Sequence, residues 1–141
     1  MKKTSLTVIT LFTLAVLSLS ACVGNKTSAS LTGEWMLVSY GNTSNPTPAL
    51  PNVETSVNFN EDGTFGGNVG CNSFGADYKV NDDKITFGSI MSTMMFCEET
   101  SSQESAVLAI LTDKTVSFAI SENELTLEST DSISILVLAR K

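Results

Sequence analysis

The chain has 141 residues, which is room for one domain, and 15 acidic residues outnumber the 8 Lys and Arg. Such an acidic surface argues against nucleic acid as a partner, because phosphates repel it. The chain has no histidine, so the commonest general base and metal ligand is missing, and we expect neither an enzyme nor a metal site.

The first 21 residues have the features of a lipoprotein signal peptide. Lys2 and Lys3 give a positive start, and residues 6–19 are almost wholly apolar or small. This run is too short for a confident membrane span, which needs about 20 apolar residues. Residues 19–22 (LSAC) resemble the bacterial lipobox, in which the cysteine is lipidated and becomes the first residue of the mature chain.

Cys22 is therefore the predicted acceptor of the lipid, including palmitate, and residues 22–30 form a predicted flexible tether. The partner at this end of the chain would be the membrane. Val23 follows the cysteine where an inner-membrane retention signal would have Asp. We expect a lipid-anchored protein of the cell envelope, on the outer membrane facing the periplasm if the host is Gram-negative.

The domain, residues 31–141, starts with a strand whose apolar residues fall on both faces, which predicts a central strand covered twice. These residues are Trp35, Met36, Leu37, Val38 and Tyr40. Three prolines follow at positions 46, 48 and 51, and they predict a loop, since a strand interior does not tolerate them.

Alternating apolar residues on either side of short polar turns predict three hairpins. They cover residues 57–69, 77–87 and 116–127, with turns at 61–63, 81–83 and 122–123. A final apolar strand is predicted over residues 133–138.

One segment, residues 101–111, has helical rather than alternating spacing of its apolar residues. Ser101 followed by Glu104 predicts a capping box at its start. The fold class we predict is mostly β, with some α: a curved antiparallel sheet or partial barrel with one helix packed on it.

Segments spread over most of the domain, among them residues 59–65, 67–74, 84–87 and 125–127, resemble the META domain family, whose familiar bacterial members are the HslJ-type heat-shock lipoproteins. Four short segments contain its motifs. They are residues 33–37 (GEWML), 70–72 (GCN), 93–97 (TMMFC) and 103–104 (QE). Met94 stands where the family usually has a basic residue, and Phe96 where it has a small one. The resemblance covers most of the mature chain. It implies a β-rich fold, export and a link to heat-shock or antibiotic tolerance, with no established enzymatic activity or cofactor.

Cys71 and Cys97 are the cysteines that remain after lipidation. In an oxidising compartment an isolated pair most simply forms a disulfide, which on a loop of this length would stabilise the fold by about 3 kcal/mol. Two unpaired buried thiols are the alternative. A reactive thiol is disfavoured, because no histidine is present to activate it.

The methionines of residues 91–97 allow two interpretations. With Cys97 they are soft ligands suited to Cu(I), but methionines more often fill irregular space in a core or groove. They could also form an adaptable surface for a partner, and the candidate binding residues are Trp35, Asn72, Met94, Met95 and Phe96. Asn72 is better explained as a partner for backbone groups in a tight connection.

Two functional hypotheses follow. The first is a non-enzymatic, lipid-anchored envelope protein that acts in a stress response by binding an envelope protein. The alternative is a binding module for a small ligand or peptide, or an inhibitor of a secreted enzyme. An apolar cavity that includes Trp35 would favour the small-ligand carrier, whereas a filled core with an exposed apolar patch would favour a protein partner.

Overall fold

The computed structural model describes residues 30–141. The predicted signal peptide, Cys22 and nearly all of the tether lie outside the described residues. Within residues 30–141, no helix is long and apolar enough to cross a membrane.

Ten strands and one helix make up the described part of the chain. The strands are β1 (Gly33–Asn42), β2 (Asn45–Pro48), β3 (Ser56–Phe59), β4 (Thr64–Asn68), β5 (Ser73–Asn81), β6 (Lys84–Phe87), β7 (Met91–Ser92), β8 (Thr115–Ser121), β9 (Glu124–Ser129) and β10 (Ser134–Arg140). The helix α1 (Ser101–Leu111) lies between β7 and β8, with the bounds that its apolar spacing predicts.

The strands form a closed antiparallel barrel. Its path runs β1-β3-β4-β5-β6-β8-β9-β10, and β10 then pairs with β1, which closes a ring of eight strands. The two short strands lie off this ring: β2 pairs with β1, and β7 pairs with β5. The sheet that was predicted to be curved or a partial barrel is thus a closed barrel. The three predicted hairpins are β3–β4, β5–β6 and β8–β9.

The barrel interior is packed with side chains, as expected for a ring of this size. Its largest fully buried members include Trp35, Phe59, Phe87, Leu125, Leu136 and Leu138. Aromatic rings contact one another across this interior. The Phe65 and Phe87 ring centroids lie 4.7 Å apart, and Tyr78 meets Phe59 edge-on at 5.2 Å.

The prediction of a twice-covered first strand is wrong. Trp35, Leu37 and Tyr40 are buried, but Met36 and Val38 are exposed on the outside of the barrel. A closed ring buries only the inner face of each strand. A bulge between Leu37 and Ser39 shifts the alternation by one residue, which is why Tyr40 also points inward.

The predicted proline loop contains a strand. Pro46 and Pro48 lie in β2, opposite Gly41 and Ser39 of β1. This strand has a neighbour on one side only, so the missing N–H groups of its prolines can face away from the ladder.

The helix covers the end of the barrel at which β4 ends and β5 begins. Val107, Ile110 and Leu111 on its inner side belong to the same core as the strands. The predicted capping box is wrong, because Thr100 occupies the N-cap position and makes no side-chain cap hydrogen bond. The Glu104 side chain is instead directed at the connection between β4 and β5.

Candidate binding surface

Asn72, in the connection between β4 and β5, uses its side-chain amide to hold the segment of residues 93–95. Its Nδ2 donates to the Met95 carbonyl at 3.0 Å, and its Oδ1 accepts from the Met95 N–H at 2.8 Å. The Thr93 hydroxyl also donates to Asn72 Oδ1, at 2.9 Å. The amide thus replaces the strand partner that this segment lacks, so the structure supports the backbone-satisfying role predicted for Asn72.

Glu104 joins the helix to the same connection. One carboxylate oxygen, Oε1, accepts the backbone N–H groups of Cys71 and of Asn72 (the latter at 3.0 Å) and the Thr100 hydroxyl at 3.0 Å. The other, Oε2, accepts from Asn72 Nδ2 at 2.7 Å. Burial by itself would raise the pKa of Glu104. The hydrogen bonds from Asn72, Cys71 and Thr100 outweigh that burial, so the pKa lies below its ordinary value of 4.5.

Gln103, fully buried beside Glu104, makes the second connection between helix and barrel. Its Nε2 donates to the Val69 carbonyl at 2.6 Å, and its Oε1 accepts from the Leu50 N–H at 2.8 Å. Gly70 allows this close approach, because a Cβ atom there would lie 2.8 Å from Thr100 Cβ and in collision with Glu104. Glycine at position 70 therefore leaves the room that the Glu104 and Thr100 side chains occupy.

The predicted disulfide joins Cys71 to Cys97, with the two Cα atoms 6.3 Å apart. It fixes the far end of the segment that Asn72 holds near its middle. Residues 93–97 therefore have no strand or helix of their own, yet they are attached to the barrel at three points: Thr93, Met95 and Cys97.

The apolar side chains of this segment face solvent. Met94 is 97% exposed and Phe96 is 88% exposed, and Met91 and Met95 are also exposed. We refer to these four residues as the Met-Phe surface. Other exposed large apolar residues, such as Val80 and Ile133, are scattered elsewhere on the barrel. Of the expected core or groove packing, the core is wrong, since these side chains lie outside it, whereas Met94 and Met95 line a groove.

An open groove of about 530 Å³ runs between the Met-Phe surface and the first turns of α1. Ile90 and Leu108 provide partly buried apolar surface in the groove, and Ser101 and Ser105 line its helical side. Four of the five candidate binding residues, Asn72, Met94, Met95 and Phe96, lie at this groove.

The fifth, Trp35, does not belong to the surface. It is fully buried in the barrel, and its Nε1 donates to the Leu31 carbonyl at 2.9 Å. The Arg140 guanidinium covers its ring at 3.9 Å from the centroid. Trp35 is a core residue, and the sequence could not reveal this because both faces of its strand are apolar.

The copper interpretation loses its strongest ligand. Cys97 is in a disulfide and offers no thiolate. Over residues 30–141, no three His, Cys, Asp or Glu side chains are grouped so as to hold a metal ion. The remaining soft atoms are the exposed methionine sulfurs, which can contact an apolar partner.

The META domain model matches residues 29–141, which is most of the chain. The chain belongs to the META domain family. Comparison with curated proteins gives no match. Of the motifs of this META domain, GCN (Gly70, Cys71, Asn72) and QE (Gln103, Glu104) are those that connect the helix to the barrel.

Solved structures share the fold of this META domain. An NMR structure of a protein from Burkholderia xenovorans has a TM-score of 0.63 at 20% identity, covering 77% of this chain and 81% of that one. A crystal structure of a DUF4847 family protein from Bacteroides vulgatus has a TM-score of 0.57 at 15% identity, covering 78% and 93% of the two chains. At such identities the similarity concerns the fold alone.

Glu104 has a larger role than its sequence context suggested. The sequence pattern offered it as half of a capping box, but four hydrogen-bond donors from other groups converge on its carboxylate. The signal that could have revealed this role is the joint presence of the GCN and QE motifs in the chain.

Proposed function

We propose that this protein is a non-enzymatic, lipid-anchored envelope protein that binds another protein through the Met-Phe surface. The binding would serve a response to envelope stress, such as heat or antibiotics. The observation that carries the proposal is the combination of nearly full exposure of Met94 and Phe96 with a backbone attached on either side of them.

This combination favours binding on energetic grounds. Exposure of apolar side chains to water is unfavourable. A group of them on the surface is therefore more often a contact site than a chance arrangement. The hydrogen bonds of Asn72 and the disulfide already order the backbone of the segment. Binding would then lose little backbone entropy, while flexible methionine side chains could adapt to the partner.

The position of the surface supports a partner away from the lipid. The tether enters at the end of the barrel where β1 begins, and the strand order puts the start of β5 and the Met-Phe surface at the opposite end. The Met-Phe surface would therefore face away from the lipid anchor.

The filled barrel bears on the alternative of a small-ligand carrier. Trp35, Phe59, Leu125 and Leu136 occupy the interior in which such a carrier would hold its ligand. A peptide or a secreted enzyme would have to bind outside, and the groove beside the Met-Phe surface offers the place. The protein-partner hypothesis therefore has the stronger support.

Site-specific photo-crosslinking in living cells tests the surface directly. A photoreactive amino acid replaces Met94 in one variant and Val80 in another, since Val80 is an exposed apolar residue at the far end of the barrel. We expect a discrete crosslinked product from position 94 that is absent from position 80. Equal products, or none from position 94, would refute a partner at this surface.

The lipid anchor has its own test. Cells fed with an alkyne-tagged palmitate should label the wild-type protein, and a Cys22→Ala variant should lose the label. Undiminished labelling of Cys22→Ala would contradict anchoring at this residue.

The stress role is tested by survival. Cells carrying Phe96→Ser as their sole copy should resemble a deletion strain after heat shock or antibiotic treatment, whereas cells with Val80→Ser should resemble the wild type. Both variants must accumulate to the wild-type level, which immunoblotting checks.

A further inference from the structure

We propose that the partner segment that occupies the groove is basic and amphipathic, a peptide with Lys or Arg on one face and large apolar side chains on the other. This inference rests on the proposed function and names the chemistry of its partner. It follows from the distribution of charge around an apolar groove.

Acidic residues far outnumber basic residues in the domain. All fifteen acidic residues of the chain lie between Glu34 and Asp131, whereas only five Lys and Arg residues follow Ser30. No basic residue occurs between Lys84 and Lys114, a stretch that contains the whole segment of the Met-Phe surface and all of α1. Of residues 30–141, no Lys or Arg is among those that line the groove.

Two exposed acidic residues lie in the chain between the Met-Phe surface and α1, the two elements that form the groove. Glu98 and Glu99 directly follow Phe96 and Cys97 and are exposed. Asp77, also exposed, lines a separate pocket together with Met91. An apolar surface with exposed carboxylates next to it in the chain is the complement of a helix with one apolar and one basic face.

The same charges disfavour two other occupants. A second copy of the chain would bring Glu98 and Glu99 against an equally acidic surface, and like charges across an interface are unfavourable. Anionic lipid headgroups would be repelled in the same way. A basic segment gains attraction to these carboxylates as well as apolar contact with Met94 and Phe96.

Fluorescence anisotropy with designed peptides tests the proposal. The probe is a fluorescein-labelled 18-residue helix of Leu and Lys, and its matched control replaces every Lys by Glu while keeping the Leu positions. Residues 30–141 serve as the protein, because the closed barrel, its core and its disulfide all lie within them. We expect the Lys peptide to bind at least tenfold more tightly than the Glu peptide. Binding of the Lys peptide should weaken by about tenfold at higher salt, because the Debye length shortens.

Three variants locate the site. Met94→Ser with Phe96→Ser should weaken binding by about tenfold or more, as expected for central apolar contacts. Glu98→Gln with Glu99→Gln should reduce the salt dependence and weaken binding several-fold at low salt. Val80→Ser should bind like the wild type, and circular dichroism checks that each variant is folded.

Each outcome decides the inference. Equal binding of the two peptides would overturn the basic partner while leaving an apolar binding surface, and so the proposed function, in place. Binding of neither peptide, or Lys-peptide binding that survives loss of Met94 and Phe96, would overturn the inference, and the crosslink from position 94 would still decide the proposed function separately. Binding of the protein to anionic phosphatidylglycerol vesicles in preference to the Lys peptide would replace the peptide partner by a membrane.

Discussion

At the scale of single residues, a buried carboxylate and a buried amide hold one end of the barrel together. A buried carboxylate is unfavourable unless donors surround it, and Glu104 has four of them, including two backbone N–H groups. The Asn72 side chain in turn makes hydrogen bonds to the backbone of the segment of residues 93–95. The Met-Phe surface therefore depends on polar residues beneath it.

Glu104→Gln should destabilise the fold. The amide can accept at one position only, so its NH₂ group would face a donor, either Asn72 Nδ2 or the backbone of the β4–β5 connection. Hydrogen bonds to a charged group contribute about 1.5–3 kcal/mol each, and we expect a loss of at least about 2 kcal/mol in the free energy of unfolding at pH 7. Urea titration followed by Trp35 fluorescence measures it.

The same pair of proteins should show a defined pH dependence. Because the pKa of Glu104 is lower in the folded chain than its ordinary 4.5, its ionised form stabilises the fold above that pH. This contribution is lost as the pH falls through the lower folded pKa. The stability difference between wild type and Glu104→Gln should stay constant from pH 7 to about 5 and shrink below about 4.5. A difference that does not change down to pH 2 would contradict the role assigned to the carboxylate.

Gly70→Ala should also destabilise the fold, because its methyl group would collide with Glu104 and lie 2.8 Å from Thr100 Cβ. Gly75→Ala is the matched control, since the atom nearest to its added Cβ, the Phe65 carbonyl oxygen, lies at 3.7 Å. We expect Gly70→Ala to lower the free energy of unfolding by about 1–3 kcal/mol, the usual range for overpacking. Gly75→Ala should lie much closer to the wild type, and equal losses in the two variants would contradict the packing argument.

At the scale of elements, the segment from β7 to α1 depends on attachments rather than on pairing of its own. Only Met91 and Ser92 pair as a strand, with Gly75 and Phe74 of β5. Beyond them, the Asn72 amide and the Cys71–Cys97 disulfide fix the chain. This arrangement leaves the side chains of Met94 and Phe96 free for contact.

Removal of the disulfide by Cys71→Ser with Cys97→Ser should lower the free energy of unfolding by about 3 kcal/mol on the chain-entropy model, given the separation of 26 residues. Hydrogen exchange of the Met95 amide should speed up in the folded protein, while amides in β9 and β10 keep their protection relative to global unfolding. Unchanged exchange at Met95 would mean that Asn72 holds the segment without the disulfide.

At the scale of the whole molecule, the first and last strands close the barrel, and Arg140 reinforces that closure. Its guanidinium lies over Trp35 and donates to the Thr32 carbonyl at 2.9 Å and to that of Ser30. Lys141, next to it, makes an exposed ion pair with Glu34 at 2.8 Å. The two neighbouring cations thus occupy different environments.

Arg140→Met should therefore destabilise the fold by about 1–2 kcal/mol, through loss of the cation–π contact and the hydrogen bonds, and should shift Trp35 emission. Lys141→Met is the matched control, and its unfolding midpoint should be nearly that of the wild type, because an exposed ion pair contributes little. Thermal unfolding followed at the Trp35 emission maximum distinguishes them. Equal midpoints for the two variants would mean that Arg140 does not stabilise the closure of the barrel.

The sequence by itself determined the local elements of this protein. Alternating residues and polar turns located the hairpins, helical spacing gave the bounds of α1, and two cysteines in the domain indicated their own pairing. The hairpins and the helix depend on neighbours within about a dozen positions, so a linear pattern contains them. The GCN and QE motifs also identified the family, though not what their residues contact.

Only the tertiary structure decided which faces are buried. Closure pairs β1 with β10, about a hundred residues apart, and no local pattern specifies such a pairing. Because the ring has a single interior, Trp35 lies inside while Met36 lies outside, although both are apolar. The Glu104 side chain likewise accepts hydrogen bonds from the backbone of Cys71 and Asn72, outside its own helix. A carboxylate near an end of the barrel binds the nearest free N–H groups in space.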